Sequence, residues 1–320
     1  MSTSQSTTDA GQPGPDQEII ILGTGPAGLA AAVYAARANR KPLVLAGADP
    51  GGQVALTDKI ENYPGFPDGV QGAELYELFQ KQAERFGATV DFSSATAIDF
   101  DVRPFRITAD SGTYRTRALI VATGASPRRL GIPGEDELRG KGVSYCATCD
   151  GAFFREKNVF VIGGGDSALE EGIFLTRFAS QVTIVHRRNE LRAGHILRRR
   201  AKKNPKVRFL LETVAEEIHG PDRVTGLAVR NVVSGKTETR AADGVFIFIG
   251  HDPNTSLFAG ALAMDAKGYL QVDPRMQTSV PGVFAAGEAA DPVFRQVATS
   301  AGMGVAAAIS AERWLTEEGS

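Results

Sequence analysis

Two stretches of this chain repeat one pattern, and the repeat limits the folds open to it. Glu18-Ile19-Ile20-Ile21-Leu22 leads into Gly23-Thr24-Gly25-Pro26-Ala27-Gly28 and an alanine-rich segment to about Asn39. Asn158-Val159-Phe160-Val161-Ile162 leads into Gly163-Gly164-Gly165-Asp166-Ser167-Ala168 and a helical segment to about Phe178. Each is G-x-G-x-x-G/A between a strand and a helix, the context that makes the motif a dinucleotide-binding turn. Gly23 and Gly163 permit the tight turn, and Gly25 and Gly165 let a pyrophosphate reach the backbone. Gly28 and Ala168 let helix pack on strand. The helix starts, at Pro26-Ala27 and Asp166-Ser167, offer free N–H groups to the phosphates. In both stretches the next strand ends 23 residues after the first glycine, at Ala46 and at His186. One register used twice implies an α/β protein of two Rossmann-like three-layer domains. Its 320 residues suit two domains of about 150 each.

The strand ends differ in chemistry. A site for NAD puts an acidic residue there, to hold the adenosine ribose. The first stretch has Ala46-Gly47, which argues against NAD. The second has Arg187 and Arg188 after His186, suited to a 2′-phosphate through charge-assisted bidentate bonds. Arg192 joins them if that segment is helical. The other reading is a solvated basic strand end. Gly51-Gly52-Gln53 and Asn62-Tyr63-Pro64-Gly65 form a loop of turn formers that either lies along an extended ligand or is ordinary surface.

Residues 72–87 read as an amphipathic helix with Leu75, Leu78, Phe79, Ala83 and Phe86 on one face. Residues 89–117 are β-rich and close on a buried strand ending at Gly124. Residues 244–250 echo that close in the second half. Val283–Glu288 is a strand ending beside a carboxylate, and a helix runs from Gln296 through Leu315. These features divide the chain into a disordered tail at 1–16, a discontinuous first domain at 17–126 and 255–320, and a second domain at 127–254 inserted between its halves.

The second domain holds the only two cysteines, Cys146-Ala147-Thr148-Cys149, followed by Asp150. Paired so closely, they read as a redox pair whose disulfide opens easily. A zinc site needs four ligands, and no second pair exists. Incidental thiols are the remaining reading. A chain with only these cysteines fits a reducing cytoplasm. Net charge of -2 gives no pull toward nucleic acid. The basic run at 198–203 reads as a solvated helix end. No apolar run of ~18 residues marks a membrane span, and no secretory signal opens the sequence.

Several independent motifs in order make the chain similar to the low-molecular-weight bacterial thioredoxin reductases over about residues 17–315. They are Cys-Ala-Thr-Cys-Asp at 146–150, Gly-Gly-Gly-Asp-Ser-Ala at 163–168 and His-Arg-Arg-Asn-Glu-Leu-Arg at 186–192. Glu-Asn-Tyr-Pro-Gly-Phe-Pro at 61–67, Gly-Gly-Gln at 51–53 and Gly-Glu-Ala-Ala-Asp-Pro-Val-Phe-Arg-Gln at 287–296 complete the set. The resemblance implies FAD in the first site, NADPH in the second, a homodimer and thioredoxin as partner. For FAD it implies Gly23, Gly25, Pro26, Ala27, Gly28, Ala46, Gly47, Gly51, Gly52, Gln53, Asn62, Gly124, Gly287, Glu288, Arg295, Gln296 and Val297. For NADPH it implies Gly163, Gly165, Asp166, Ser167, Ala168, His186, Arg187, Arg188 and Arg192. It further implies that Cys149 faces the flavin, that Cys146 attacks the partner disulfide and that Asp150 is the acid/base. Two departures stand out. Glu288 replaces the family's usual aspartate, and Ala152 replaces the first aromatic of a partner-docking segment, before Phe153 and Phe154. Two alternatives are a reductase of another small dithiol carrier and a non-catalytic flavin redox sensor.

Overall fold

The computed structural model describes residues 16–57 and 59–318. The tail expected at 1–16 lies outside them except for Asp16, which opens the first strand. Up to Ser126 the chain forms β1 (Asp16–Leu22), β2 (Leu43–Leu45), β3 (Lys59–Ile60), β4 (Val70–Gln71), β5 (Thr89–Asp91), β6 (Ala95–Asp99), β7 (Phe105–Ala109) and β8 (Gly112–Val121), with helices α1 (Pro26–Arg37), α2 (Gly52–Ala55) and α3 (Gly72–Arg85). After β9 (Ala125–Pro127) come β10 (Val143–Ser144), α4 (Ala147–Asp150), β11 (Asn158–Ile162), α5 (Asp166–Leu175), β12 (Gln181–Val185), α6 (His195–Lys203), β13 (Val207–Leu210), β14 (Thr213–His219), β15 (Gly226–Asn231), β16 (Thr237–Ala241) and β17 (Gly244–Ile247). The chain ends through β18 (His251–Pro253), β19 (Val283–Ala285) and α7 (Val297–Glu318).

Two compact units result. One comprises the chain up to Ser126 and from Pro253 onward, the other Pro127–Asp252. The return crossing falls two residues before the boundary read at 254. The two crossing strands, β9 and β18, pair with each other in a two-stranded ribbon.

The first unit's sheet runs β5-β2-β1-β8-β7-β6, with β19 also on β8. β8 is long enough for two partners on one edge. Its Gly112–Thr116 part pairs antiparallel with β7 and its Leu119–Val121 part pairs parallel with β19. β1 lies parallel along its other edge. The unbroken run Ile19-Ile20-Ile21-Leu22 is what a parallel strand buried on both faces requires. Ile19 and Ile21 enter one core with Ala31, Ala35 and Ala308. Ile20 and Leu22 enter the other with Phe105, Leu119 and Phe258. Alanines on α1 and α7 allow close helix packing, and Gly304 of α7 backs directly onto the main chain of Ala27. On α3, Leu75 and Ala83 are buried, while Leu78, expected on the same face, is 41% exposed. It lies at the edge of the stripe that Leu75, Phe79 and Ala83 trace at intervals of four residues.

The second unit has an all-parallel sheet, β10-β17-β11-β12-β13. One face carries Val159, Val161, Ile184 and Phe246 against α5 and α6. The other carries Phe160, Ile162, Val245 and Ile247 against the antiparallel sheet β14-β15-β16. The orders β19-β8-β1-β2-β5 and β10-β17-β11-β12-β13 correspond strand for strand. The outer member comes from late in the chain in the first unit and from early in its own segment in the second.

Gly304→Val forces a side chain into the Ala27 backbone, where a Cβ already has no room. The variant should lose about 1–3 kcal/mol of stability. Denaturant melts of purified protein, compared with Gly302→Val at an open position of the same helix, check this.

Candidate functional site

In each unit the candidate residues gather at the carboxyl ends of parallel strands, where open α/β sheets bind ligands. The first glycine of each turn carries positive φ, +104° at Gly23 and +149° at Gly163. Each is pressed against the carbonyl of the residue after the neighbouring strand, Ala122 beyond β8 and Phe248 beyond β17. A side chain fits neither the conformation nor the space. The second glycines, Gly25 and Gly165, have nothing within 4 Å of where a Cβ would stand. That gap is what the close approach of a dinucleotide pyrophosphate needs, so both turns fit the group. Gly28 and Ala168 pack back against the turn itself.

Several expected residues of the first unit come together around its turn. The Gly51 N–H donates to Thr24 Oγ1 at 3.0 Å, holding the Gly51-Gly52-Gln53 segment to the turn. Thr24 is 2% exposed. Ala46 and Gly47 continue β2 by bonding to Asp91 and Ser93 carbonyls. Asn62 donates to Gln296 Oε1 at 3.2 Å. Val54, Tyr63 and Val297 share a small apolar cluster, so this loop and the start of α7 are one assembly. Gly287 sits against Ala27 of α1. Gly124 follows β8 and accepts from the Asn254 N–H. Arg295 has φ of +51°, in a loop shaped by Asp291. The buried Asp291 carboxylate accepts from the N–H groups of Val293, Phe294 and Arg295 at 2.8, 2.9 and 3.0 Å. Thr24 lies outside the residues that the sequence pattern singles out, whereas Asp291 falls inside the 288–297 stretch but with a loop-shaping role that the pattern does not specify. The Asp-Pro step at 291–292 was the available signal for the turn.

Glu288 follows Gly287 in a short 3-10 turn. Burial pushes its carboxyl up to about 7, Arg295 opposing and Asp291 adding to the rise.

In the second unit, His186 directly follows β12 and is 5% exposed. Its ring packs on Gly164, where a Cβ would collide with it. Burial holds the imidazole below its ordinary range, and the charges of Arg192, Arg188 and Arg187 push the same way. Its Nε2 is buried without a hydrogen-bond partner. Arg187, Arg188 and Arg192 are all exposed. The segment carrying them is not helical, contrary to the condition set for Arg192. Instead the N–H groups of Arg192 and Ala193 donate to Gly164 O at 2.7 and 3.1 Å. The Gly194 N–H donates to Asp166 Oδ1 at 2.7 Å. Asp166, expected to face the nucleotide, thus ties the arginine loop to the glycine turn.

The cysteines follow the carboxyl end of β10, on the same side of the sheet as that turn. Cys146 and Cys149 are joined in a disulfide with Cα atoms 5.3 Å apart. α4 carries Asp150 as its last residue, and Gly151–Phe154 continues as a 3-10 turn. Phe154 stacks edge-on against Phe246 at 5.0 Å and belongs to the core, leaving Phe153 as the exposed aromatic at 40%. Before the pair, Tyr145 donates to Glu135 Oε1 at 2.7 Å. Burial and that carboxylate push the phenol well up. Glu135 also accepts from the N–H groups of Leu130 and Gly131, so the segment after β9 is fastened to the redox motif.

This arrangement of two nucleotide turns and a dithiol matches one class. The model of the pyridine nucleotide-disulphide oxidoreductases matches residues 17–304, and the chain belongs to that family. Within it, its curated relatives include many thioredoxin reductases, as the shared motifs lead one to expect. The thioredoxin reductase of Mycolicibacterium smegmatis is 47% identical over 319 residues, 99% of this chain and 100% of that one. A bifunctional thioredoxin reductase/thioredoxin from Mycobacterium leprae (strain TN) is 49% identical, over 94% of this chain and 66% of its own length. The crystal structure of thioredoxin reductase from Streptococcus pyogenes MGAS5005 superposes with a TM-score of 0.90 at 40% identity, covering 94% of this chain and 99% of that one.

The raised Glu288 carboxyl sets a sign for stability. Its ordinary value is 4.5 and its folded value about 7, so the native state holds the proton more tightly. Below about pH 4 both states are protonated and nothing is lost. As pH rises through that window, the cost of ionising the buried group destabilises the native state, fully above pH 7. In the FAD-free protein, Glu288→Gln should therefore raise stability by about 1–3 kcal/mol at pH 8. It should give no such gain at pH 4. Thermal melts across pH read the difference.

Proposed function

We propose that this protein is an NADPH-dependent thioredoxin-disulfide reductase that acts as a homodimer in the cytoplasm. The observation carrying this reading is the Cys146–Cys149 bond itself. It joins residues three apart in sequence, so it restrains almost no chain and its value is chemical rather than structural. Family membership, relatives that are thioredoxin reductases and a relative fused to thioredoxin support it. Among the described residues no helix is long and apolar enough to cross a membrane.

The first glycine turn, with Ala46–Gln53, Asn62, Gly124 and Gly287–Val297, would hold FAD. The second, with the exposed Arg187, Arg188 and Arg192, would hold NADPH, the arginines taking its 2′-phosphate. When bound, the two cofactors supply the electron pair that opens the disulfide. The chain's own residues do the rest. Gly25 and Gly165 leave the backbone bare for pyrophosphates. His186 stays neutral beneath its turn and adds no charge of its own. Cys146, once a thiolate, attacks a disulfide sulfur of thioredoxin, and the partner's other sulfur leaves. Cys149 then attacks Cys146, re-forming the internal bond and releasing reduced partner. Asp150 holds and returns the proton these thiolates exchange. Phe153, the exposed aromatic beside the pair, offers a docking contact. With Ala152 before it and Phe154 in the core, that contact is smaller than the motif's aromatics suggested.

Anaerobic addition of NADPH should bleach the flavin absorbance of the purified protein. A persistently oxidised flavin would overturn the reading in favour of a sensor. Replacing Arg187 and Arg188 by Ala should raise KM for NADPH by about 10- to 100-fold and leave that for NADH nearly unchanged. Asp150→Asn should keep the bleaching but cut thioredoxin turnover by roughly 10²-fold. Wild-type turnover in that variant would remove the acid/base role.

A further inference from the structure

The two sulfurs of the redox pair have unequal surroundings. Thr148 Oγ1 lies 3.3 Å from Cys146 Sγ. A disulfide sulfur carries no proton, so the hydroxyl is the donor. The Cys149 N–H donates to the same sulfur at 3.2 Å. Among the described residues no hydrogen bond reaches Cys149 Sγ. The main chain around Cys146 is also fixed. Ser144 is buried, and its Oγ accepts from the Cys146 N–H at 3.1 Å and donates to the Cys146 carbonyl at 3.2 Å. The Asp150 N–H donates to that carbonyl as well, at 3.2 Å. Opening the disulfide releases the side chains but not this framework, so the threonine hydroxyl stays beside Cys146 Sγ.

We propose that Thr148 is a positioning residue that makes Cys146 the charge-bearing sulfur of the pair and so gives the dithiol its direction. The inference rests on the reading of this pair as the electron exit. An electron pair delivered to Cys149 breaks the S–S bond, and Cys146 Sγ departs with the bonding electrons as thiolate. A leaving sulfur of lower pKa departs faster, and a hydrogen bond to the charged form lowers that pKa. The same thiolate then attacks the partner disulfide. Cys146 bonds to one partner sulfur, the other leaves as thiolate, and Cys149 displaces the first. Two electrons have then passed to the partner, whose thiols take one proton from the Cys149 thiol and one from solvent, and the internal disulfide is restored. One hydroxyl thus assists Cys146 both as leaving group and as nucleophile. Because Thr148 is exposed, water shares the task in its absence and the effect is moderate.

Thr148→Val keeps the branched shape and removes the hydroxyl, and Thr148→Ser keeps the hydroxyl. Both are made in a Cys149→Ala background, where Cys146 is the sole thiol of the chain. The rate of iodoacetamide alkylation is followed against pH with FAD bound. The valine variant should move the midpoint up by about half a pH unit to one unit, which is three- to tenfold in thiolate at fixed pH below it. Serine should restore the parent profile. An unchanged midpoint in the valine variant, or a shift that serine does not restore, overturns the proposal. The profile requires neither NADPH nor thioredoxin. A wild-type protein that failed to reduce its disulfide with NADPH would therefore sink the reductase reading and leave this result readable on its own.

Discussion

Everything at the two nucleotide sites depends on a backbone contact too close for any side chain. A strand ends, the chain reverses into a helix, and the reversing glycine is pressed onto the carbonyl that follows the next strand. Gly23 makes this contact with Ala122 and Gly163 with Phe248. It locks the turn to the sheet centre, so the helix start projects where phosphates are received. It also explains the strict spacing. The adjacent strand must run parallel and end level with the first, as β8 does beside β1 and β17 beside β11.

This contact is also why so much of the architecture was legible in the chain. Glycine pairs flanked by Ile19-Ile20-Ile21 or Val159-Phe160-Val161 admit few alternatives, and the repeat distance to Ala46 and His186 leaves fewer. The cysteine motif was equally plain, because its chemistry is local. What escaped was set by folding at a distance. Thr24 matters because Gly51 reaches it, and Asp291, inside a stretch the motif already marks, shapes its loop because three N–H groups converge on its carboxylate. Arg192 was placed by the geometry of a helix that does not form. Its loop is held by Gly164 and Asp166 instead, through bonds that no periodicity encodes. Phe154 reads as a surface aromatic in its motif, yet Phe246 claims it for the core.

The two units treat buried ionisable groups in one way for different ends. His186 loses its charge to burial and to three neighbouring arginines, so the positive field of the loop belongs to exposed guanidinium groups. Burial drives the Glu288 carboxyl up to about 7, and Arg295 offsets only part of the rise. Burying a charge is expensive, so burial shifts each group toward its neutral form.

Arg40 carries a consequence for how the protein is made. Its guanidinium bonds Glu18 of β1 at 2.7 Å and reaches Glu312 and Thr316 near the end of α7 at 3.1 and 2.9 Å. The first unit is therefore fastened shut by its last helix, whereas every strand of the inserted unit has been synthesised by Asp252. During synthesis the inserted unit can finish first and hangs from an incomplete host. The earliest strands wait, with their apolar faces uncovered, for the final turns of the chain to arrive.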